Sequence, residues 1–399
     1  MTPRILFIDH SGALGGAELY LLDVIRHYPD ATVVTFEEGA FPRRLRAEGV
    51  RVKVLDVSTG LLQVKKQSGL LSLLRAVPGL LTTVRDLTRL ARAHDLVYLN
   101  SQKALFPGAL AGRLAGVPVL WNLHDILTAD HFSAFTRQAA VWWANYFVDQ
   151  VVVNSEGTRD AFVACGGKRH LTELVYNGID AAAFDSVDAA TVQTLRHRLC
   201  PEETPCVGVF SRLSPWKGQH VLLDALTHLP EVHAVLVGDA LFAGDESYAA
   251  ALRTQVRALD LEDRVHFLGF RSDIPALMQA MDVVVHTATS PEPFGRVIVE
   301  GLLAHRPVVA TNAGGAREIL EDGRSGRLIP PNDPVALARA LRELFANPAA
   351  AAAMAEQGRQ MARQRFSIES MQQALDQHLA GLLNRNAVDD RTSAPVAQP

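Results

Sequence analysis

The stretch ILFIDHSGALGGAELYLL, residues 5–22, decides how this chain is to be read. Ile5 to Asp9 is an apolar run closed by an aspartate, with the length of a buried strand. Ser11 to Glu18, SGALGGAE, is a glycine-rich turn, and a helix begins near Ala17. A strand that feeds a helix through a tight turn is half of a βαβ unit, whose next strand lies parallel to the first. The opening MTPRILFIDH is far too short for a signal peptide or for a membrane span of about 20 residues, so it reads as the first strand.

The same alternation continues outward from this point. Candidate strands recur at Thr32 to Phe36, Val50 to Leu55, Leu96 to Asn100, Val117 to Asn122 and Gln150 to Asn154, and helical stretches separate most of them. After YNGID the alanine-rich run from Ala181 to about Pro205 lacks strand character and reads as a connector. Strands then resume at Val207 to Phe210, Ala234 to Gly238, Val265 to Leu268, Val283 to His286, Val308 to Thr311 and a short Gly326 to Ile329. Apolar strands alternating with helices belong to parallel sheets covered on both faces. The expected fold class is therefore α/β, with two doubly wound domains in series. Their bounds are 1–180 and 205–366, joined by a linker over 181–204. A chain of 399 residues agrees, because a single core rarely grows beyond about 250–300 residues. Arg339 to Phe345, Ala349 to Arg363 and Ile368 to Leu383 read as terminal helices. The last of these, over 367–384, is a candidate to return to the first domain, and 385–399 has the composition of a loose tail.

Composition excludes little but directs the reading. A formal net charge of −4 supplies no general attraction to nucleic acid. Cys165, Cys200 and Cys206 are odd in number and lack metal-ligand spacing, so they read as packing residues in a reducing compartment rather than a disulfide framework. The expected location is cytoplasmic.

Doubly wound sheets bind ligands at the carboxyl ends of their strands, and two such domains facing across a cleft would share a ligand. Gly15 and Gly16 can bring backbone N–H groups to an anion at a helix start, although a tight turn without ligand explains a glycine pair equally well. The spacing is not GxGxxG, which disfavours a nicotinamide-dependent dehydrogenase. In FSRLSPWKGQH, Pro215 interrupts any helix and leaves Arg212 and Lys217 on a loop above a strand end. A guanidinium beside an ammonium suits a diphosphate; two solvated surface cations are the bland alternative. In SPEPFGRVIVEGLLAHRPVVAT, residues 290–311, Glu292 lies in a proline-bracketed loop and a helix starts near Phe294 or Gly295. Glu300 then sits about 8 Å along that helix. The N–H groups at its start, from Phe294, Gly295 and Arg296, are available to a phosphate between the two carboxylates. Gly269, Phe270 and Arg271 follow another strand and are candidates to border a nucleotide base.

At Glu292 and Glu300 the chain resembles the GT-B retaining glycosyltransferases of family 4, the glycosyl transferases group 1, through their E-x7-E element. GGAE, WNLHD, VVVNSEGT, YNGID and SRLSPWKG fall in the family's order, so the resemblance spans nearly the whole chain. It implies two Rossmann-like domains and transfer of a sugar from a nucleotide-diphosphate donor of UDP or GDP type. By the same resemblance Glu300 binds the ribose, Glu292 contacts donor-sugar hydroxyls, Arg212 and Lys217 hold the diphosphate, and His124 lies beside the transferring sugar. The family retains anomeric configuration by front-face attack, in which the departing phosphate helps deprotonate the acceptor. No D-x-D pair or histidine cluster suggests a metal, and no cofactor is expected. A nucleotide-sugar epimerase, or a catalytically silent nucleotide-sugar-binding relative, are the alternatives.

The acceptor is read from the first half. Leu61 to His94 mixes leucine clusters with Lys65, Lys66, Arg75, Arg85, Arg89 and Arg92 against one acid, Asp86. Such a stretch suits an anionic lipid surface or a lipid-linked acceptor, and equally a pair of amphipathic helices with a solvated basic edge. Trp142, Trp143, Tyr146 and Phe147 either add to an acceptor groove or are buried. The expected partners are a nucleotide-sugar donor and a glycan or lipid-linked acceptor, with 61–94 a candidate for peripheral contact with the inner face of a membrane.

Overall fold

The computed structural model describes residues 2–55, 70–240 and 244–393, and the side chains of all of these except 70–77 and 386–393. The chain forms two compact units, one of residues up to Gly178 together with those from Met371 onward, the other Ile179–Ser370.

The first unit carries a seven-stranded sheet of β1 (Ile5–Asp9), β2 (Thr32–Thr35), β3 (Arg51–Val54), β4 (Leu96–Leu99), β5 (Val119–Leu123), β6 (Gln150–Val153) and β7 (Thr172–Leu174). Their order is β3-β2-β1-β4-β5-β6-β7, and every pair is parallel. Leu6 stands opposite Thr32 on one side of β1, and Ile5 opposite Leu96 on the other. The order reverses between β1 and β4, which leaves a crevice at their carboxyl ends. β7 had no counterpart among the expected strands. Its three residues, Thr-Glu-Leu, form an edge strand too short and too polar to register as an apolar run.

The second unit repeats the plan with β8 (Cys206–Phe210), β9 (His233–Val237), β10 (Val265–Gly269), β11 (Val283–His286), β12 (Val308–Thr311) and β13 (Arg327–Ile329). Their order is β10-β9-β8-β11-β12-β13, all parallel, with the reversal between β8 and β11. Each sheet buries its strands under helices. Leu6, Leu99, Trp121 and Phe162 lie in one core, and Val209, Leu222, Leu236 and Leu341 in the other. Burying each such side chain contributes about 1.5–3 kcal/mol, so the apolar runs are the main force holding strand to helix.

Three boundaries differ from the sequence reading, each for a local reason. The connector 181–204 contains the helices Ala182–Asp185 and Ala189–Leu199 and belongs to the second unit. Asp188 caps the longer helix by accepting from Thr191 N, Phe184 is buried, and Asp185 pairs with Arg359 at 2.7 Å and with Arg363. The helix expected from Arg339 begins at Pro334, where Asp333 caps and proline takes the first position. The last helix, Ile368–Ser393, runs on into the expected tail, because no Gly or Pro interrupts the sequence between Leu382 and Ser393. It joins the first unit through buried Met371, Leu375, Leu379 and Leu382, at helical spacing, and through Tyr28 Oη, which donates to Asp376 Oδ1 at 2.6 Å.

The cysteine reading is also corrected. Cys200 closes the helix Ala189–Leu199, Cys206 opens β8, and the turn between them brings their Cα atoms to 6.4 Å, where they are joined as a disulfide. Cys165 is free. A six-residue separation carries no signal of its own; the turn creates the pair.

Candidate functional site

In the second unit the loops after β8 and β11, which flank the reversal of strand order, carry the charged groups. The β8 loop leads through the short 3-10 turn Pro215–Lys217 into the helix Gln219–Leu226. Gly218 joins turn to helix in the left-handed region at φ 69°, and a Cβ there would lie 2.0 Å from Thr287 O, so no side chain fits. This turn places Trp216 between the two expected cations. Lys217 Nζ lies 4.2 Å and Arg212 Cζ 5.5 Å from the centre of its ring.

Lys217 Nζ also donates to Glu292 Oε1 at 2.6 Å, and His286 Nε2 donates to Glu292 Oε2 at 2.5 Å. All three are nearly buried, with side-chain exposures of 13%, 13% and 5% for Lys217, Glu292 and His286. Burial alone would raise the Glu292 carboxyl. The Lys217 ammonium and the His286 imidazole outweigh it and hold the group well below the usual carboxylate range. The Glu292 backbone is clamped from behind, where Gly315 N donates to Glu292 O at 2.9 Å. Gly314 adopts φ 57°, and a Cβ on it would fall 2.2 Å from the same oxygen.

The helix Arg296–Leu303 starts after Gly295. Arg296 Nε lies 3.7 Å from Glu300 Oε1, and Arg296 Nη1 is buried without a hydrogen-bond partner. Burial pushes the Glu300 carboxyl up, Arg296 offsets part of this, and the Glu292 charge adds to it. Not every expected residue joins this cluster through its side chain. The Phe294 ring is buried against Phe366 at 5.6 Å and belongs to the core. Gly269 ends β10 and Phe270 follows it, two strands from β8 and so about 10 Å along the sheet. There Gly269 O accepts from Gly238 N, Phe270 is 71% exposed, and Arg271 pairs with Asp273 at 2.6 Å.

The first unit gathers different groups at its strand ends. The Gly15 N–H, expected to meet an anion, donates to Glu18 Oε2 at 2.8 Å, the backbone half of a capping box at the start of the helix Gly16–Ile25. His124 follows β5, and its Nε2 lies 2.8 Å from Asn100 Oδ1 and 2.9 Å from Asn122 Nδ2. Asn100 Nδ2 donates to Asp9 Oδ2 at 2.5 Å, so its Oδ1 faces the imidazole, while Asn122 turns a donor toward the same nitrogen. Burial raises Asp9, but bonds from His10, Asn100 and the Ser11 N–H outweigh it and lower the carboxyl overall. Trp142 and Tyr146 are 53% and 61% exposed, whereas Trp143 is half-buried against Phe106 and Phe147 is half-buried beside it. Within the basic segment, Leu61, Lys65 and Lys66 lie outside the described residues, as does the Arg75 side chain. On the helix Leu70–Ala91, Arg85 and Arg89 are 70% and 72% exposed beside Asp86, while Val84, Leu87 and Ala91 are buried. No helix among the described residues is long and apolar enough to cross a membrane.

Residues 15–178 match the family model for a glycosyl transferase 4-like domain, and residues 194–361 match glycosyl transferases group 1. The chain is 41% identical to Anabaena Alr3699/HepE, solved in complex with UDP-glucose, with a TM-score of 0.86 over 95% of this chain and 100% of that one. It is 30% identical over 389 residues to the D-inositol 3-phosphate glycosyltransferase of Salinispora tropica, covering 90% of this chain and 79% of that protein. It is also 30% identical over 238 residues to the lipopolysaccharide core biosynthesis glycosyltransferase LpsE of Rhizobium meliloti, covering 59% of this chain and 66% of that protein. The chain belongs to the glycosyl transferases group 1 family. Its fold is of the GT-B class, with one doubly wound sheet in each unit.

In this group 1 glycosyltransferase the structure brings Arg212, Lys217 and Glu292 into one cluster and sets Glu300 on the adjoining helix. It adds Trp216, His286, Asp9 and Asn100, which the motif reading passed over. A signal for three of them was present. Asp9, Asn100 and His286 are each the polar residue that closes an apolar strand run, where a side chain must leave the core at the carboxyl end of the sheet. Trp216 carried no such mark, since an aromatic in a loop is as readily packing as ligand contact.

Proposed function

We propose that the second unit binds a nucleotide-diphosphate sugar and that the enzyme transfers the sugar, with retention of anomeric configuration and without a metal, to a glycan or lipid-linked acceptor. The observation that carries this reading is the placement of Arg212 and Lys217 about the Trp216 ring at the end of β8, beside the helix start that follows β11. Breaking the bond from anomeric carbon to phosphate leaves negative charge on the diphosphate, and preplaced cations lower that barrier. An ammonium has three donors, so Lys217 can keep Glu292 and still reach a phosphate oxygen. Arg296 Nη1 offers a further buried N–H. Glu292, ionised and fixed by two partners, has lone pairs left for sugar hydroxyls, and Glu300 is assigned to the ribose. The complex of the Anabaena relative with UDP-glucose favours a uridine donor.

To the first unit we assign the acceptor. Asp9 orients Asn100, whose Oδ1 meets His124, and the exposed Arg85 and Arg89 favour an acceptor at an anionic membrane surface. The test is to incubate UDP-glucose with candidate acceptors, identify products by mass spectrometry and read the new linkage by NMR. An α-linked product from the α-linked donor is expected. Inversion would overturn the retaining reading. Interconversion of UDP-sugars without acceptor would show an epimerase, and binding without turnover under every condition would show a silent relative.

A further inference from the structure

At the amino-terminal ends of the second sheet, away from the loops described above, a cavity of about 530 Å³ opens beside Pro205, Val283 and Pro307. These residues sit where β8, β11 and β12 begin. The helices Pro334–Ala346 and Pro348–Arg365 supply the facing apolar wall, with Leu344, Phe345, Ala351 and Ala355. A second hollow of about 420 Å³ shares Arg196, Asp282 and Arg306 with the first. A volume of this order suits a metabolite, since small-molecule pockets run from about 300 to 1,000 Å³.

The cations lining it are incompletely partnered. Arg196 pairs with Asp282 at 3.0 Å and donates to Thr204 O at 2.5 Å, yet its Nη1 is buried without a hydrogen-bond partner. Arg306 donates through Nη2 to Gln279 O at 2.5 Å; its Nε is buried without a partner, and it forms no ion pair among the described residues. Asp282 Oδ2 is already shared between Arg196 and the Cys206 N–H. Glu203, the other carboxylate on the cavity, is exposed and bonds to neither arginine. A half-buried guanidinium without an ion-pair carboxylate, as at Arg306, leaves a charge that an incoming anion would offset. The strain on Arg306 shows in its titration, which burial pushes down, with Asp282 offsetting part of this and Arg196 adding to it.

We propose that this cavity is a binding site for a small organic oxyanion, a phosphate monoester or a carboxylate, whose head is held by Arg306 and Arg196 and whose apolar body lies against Phe345 and Ala351. The guanidinium fork suits either head group by paired N–H donors. The site shares no side chain with the cluster around Glu292, so its occupancy is separable from donor binding.

The experiment is calorimetric titration of the full chain with phenyl phosphate and, separately, with benzoate. Saturable binding of at least one is expected, and the tighter of the two identifies the head group. Arg306→Met, which removes the charge and keeps the length, should weaken it about tenfold or more. Ala352→Trp, which fills the cavity from its lining and leaves both arginines, should abolish it. Lys217→Ala should bind the probes as wild type does, which separates this site from the diphosphate cluster. Absence of saturable binding of both probes up to about 10 mM, or binding unchanged in both cavity variants, overturns the proposal. If Arg306→Met does not fold, Ala352→Trp decides the matter alone.

Discussion

Each unit hangs a chain of three polar side chains from the carboxyl ends of its central strands, but the two chains carry charge differently. In the second unit, Lys217, Glu292 and His286 are linked directly, cation to carboxylate to imidazole. In the first, a neutral amide stands between carboxylate and imidazole, as Asp9, Asn100 and His124. A direct ion link concentrates charge where a charged ligand can use it. An amide link instead transmits orientation, because Asn100 can satisfy Asp9 in only one way and thereby sets the face it shows to His124. The difference teaches that one doubly wound plan can carry two kinds of polar chain at its strand ends, one ion-paired and one joined through a neutral amide.

The sharpest way to break this comparison is to remove the cations. Lys217→Ala and Arg212→Ala should each lower turnover at least about a hundredfold, the scale of a lost charge-stabilising donor, with circular dichroism unchanged. Near-normal rates in both would remove the electrostatic half of the contrast. A smaller loss is expected from the first unit. Asn100→Leu removes the Asn100 contact to the His124 imidazole and should cost about tenfold in turnover, while calorimetric binding of UDP stays as in wild type. The double variant with His124→Ala should lose no more than His124→Ala alone; additive losses would show that Asn100 acts independently of the imidazole.

The exposed basic helix is tested on vesicles rather than in turnover. Each cation near an anionic leaflet contributes about 1 kcal/mol, so Arg85→Gln with Arg89→Gln should weaken partitioning onto anionic vesicles about thirtyfold at low salt. Wild-type protein that ignores such vesicles at low salt would leave the helix Leu70–Ala91 as a packed helix with a solvated edge. The finest test is acid stability. The Glu292 carboxyl is held below its ordinary 4.5, so it contributes stability that is present above about pH 4.5 and is lost as pH falls below it. The Glu300 carboxyl is raised above 4.5, so the stability linked to its protonation is lost as pH rises from about 4.5. Urea unfolding from pH 3 to 7 should therefore show Glu292→Gln flattening the loss on the acid side. Glu300→Gln should gain relative to wild type on the neutral side. Slopes that change in the same direction for both variants would contradict the opposed environments.

Much of this was legible in the letters. Runs such as ILFID and VVVH announce buried parallel strands, because a strand covered on both faces needs apolar side chains at nearly every position. Proline and glycine at 215 and 218 mark the turn that lifts Lys217 above the sheet. Caps were harder, since Asp188 and Asp333 look like any loop acid until the chain is seen to turn into a helix beside them. Gly15 is a position where the structure adds a partner that the letters did not announce. Its place before a helix suggests an anion site, yet Glu18, three residues on, fills that role from within the chain.

The sequence by itself determined most of the order of strands and helices and the division near residue 180, and it named the residues proposed here to hold a diphosphate. Those depend on local patterning, which is written along the chain. Only the tertiary structure decided that Lys217 would share Glu292 with His286 and that Asn100 would stand between Asp9 and His124. It also decided that the segment 181–204 would fold onto the second unit, and that Arg306 would be half-buried without an ion-pair carboxylate. Each of these joins residues far apart in the chain, and their meeting depends on which strands lie side by side in a sheet. That neighbour order is set by how helices cover two faces at once, which no window of the sequence contains.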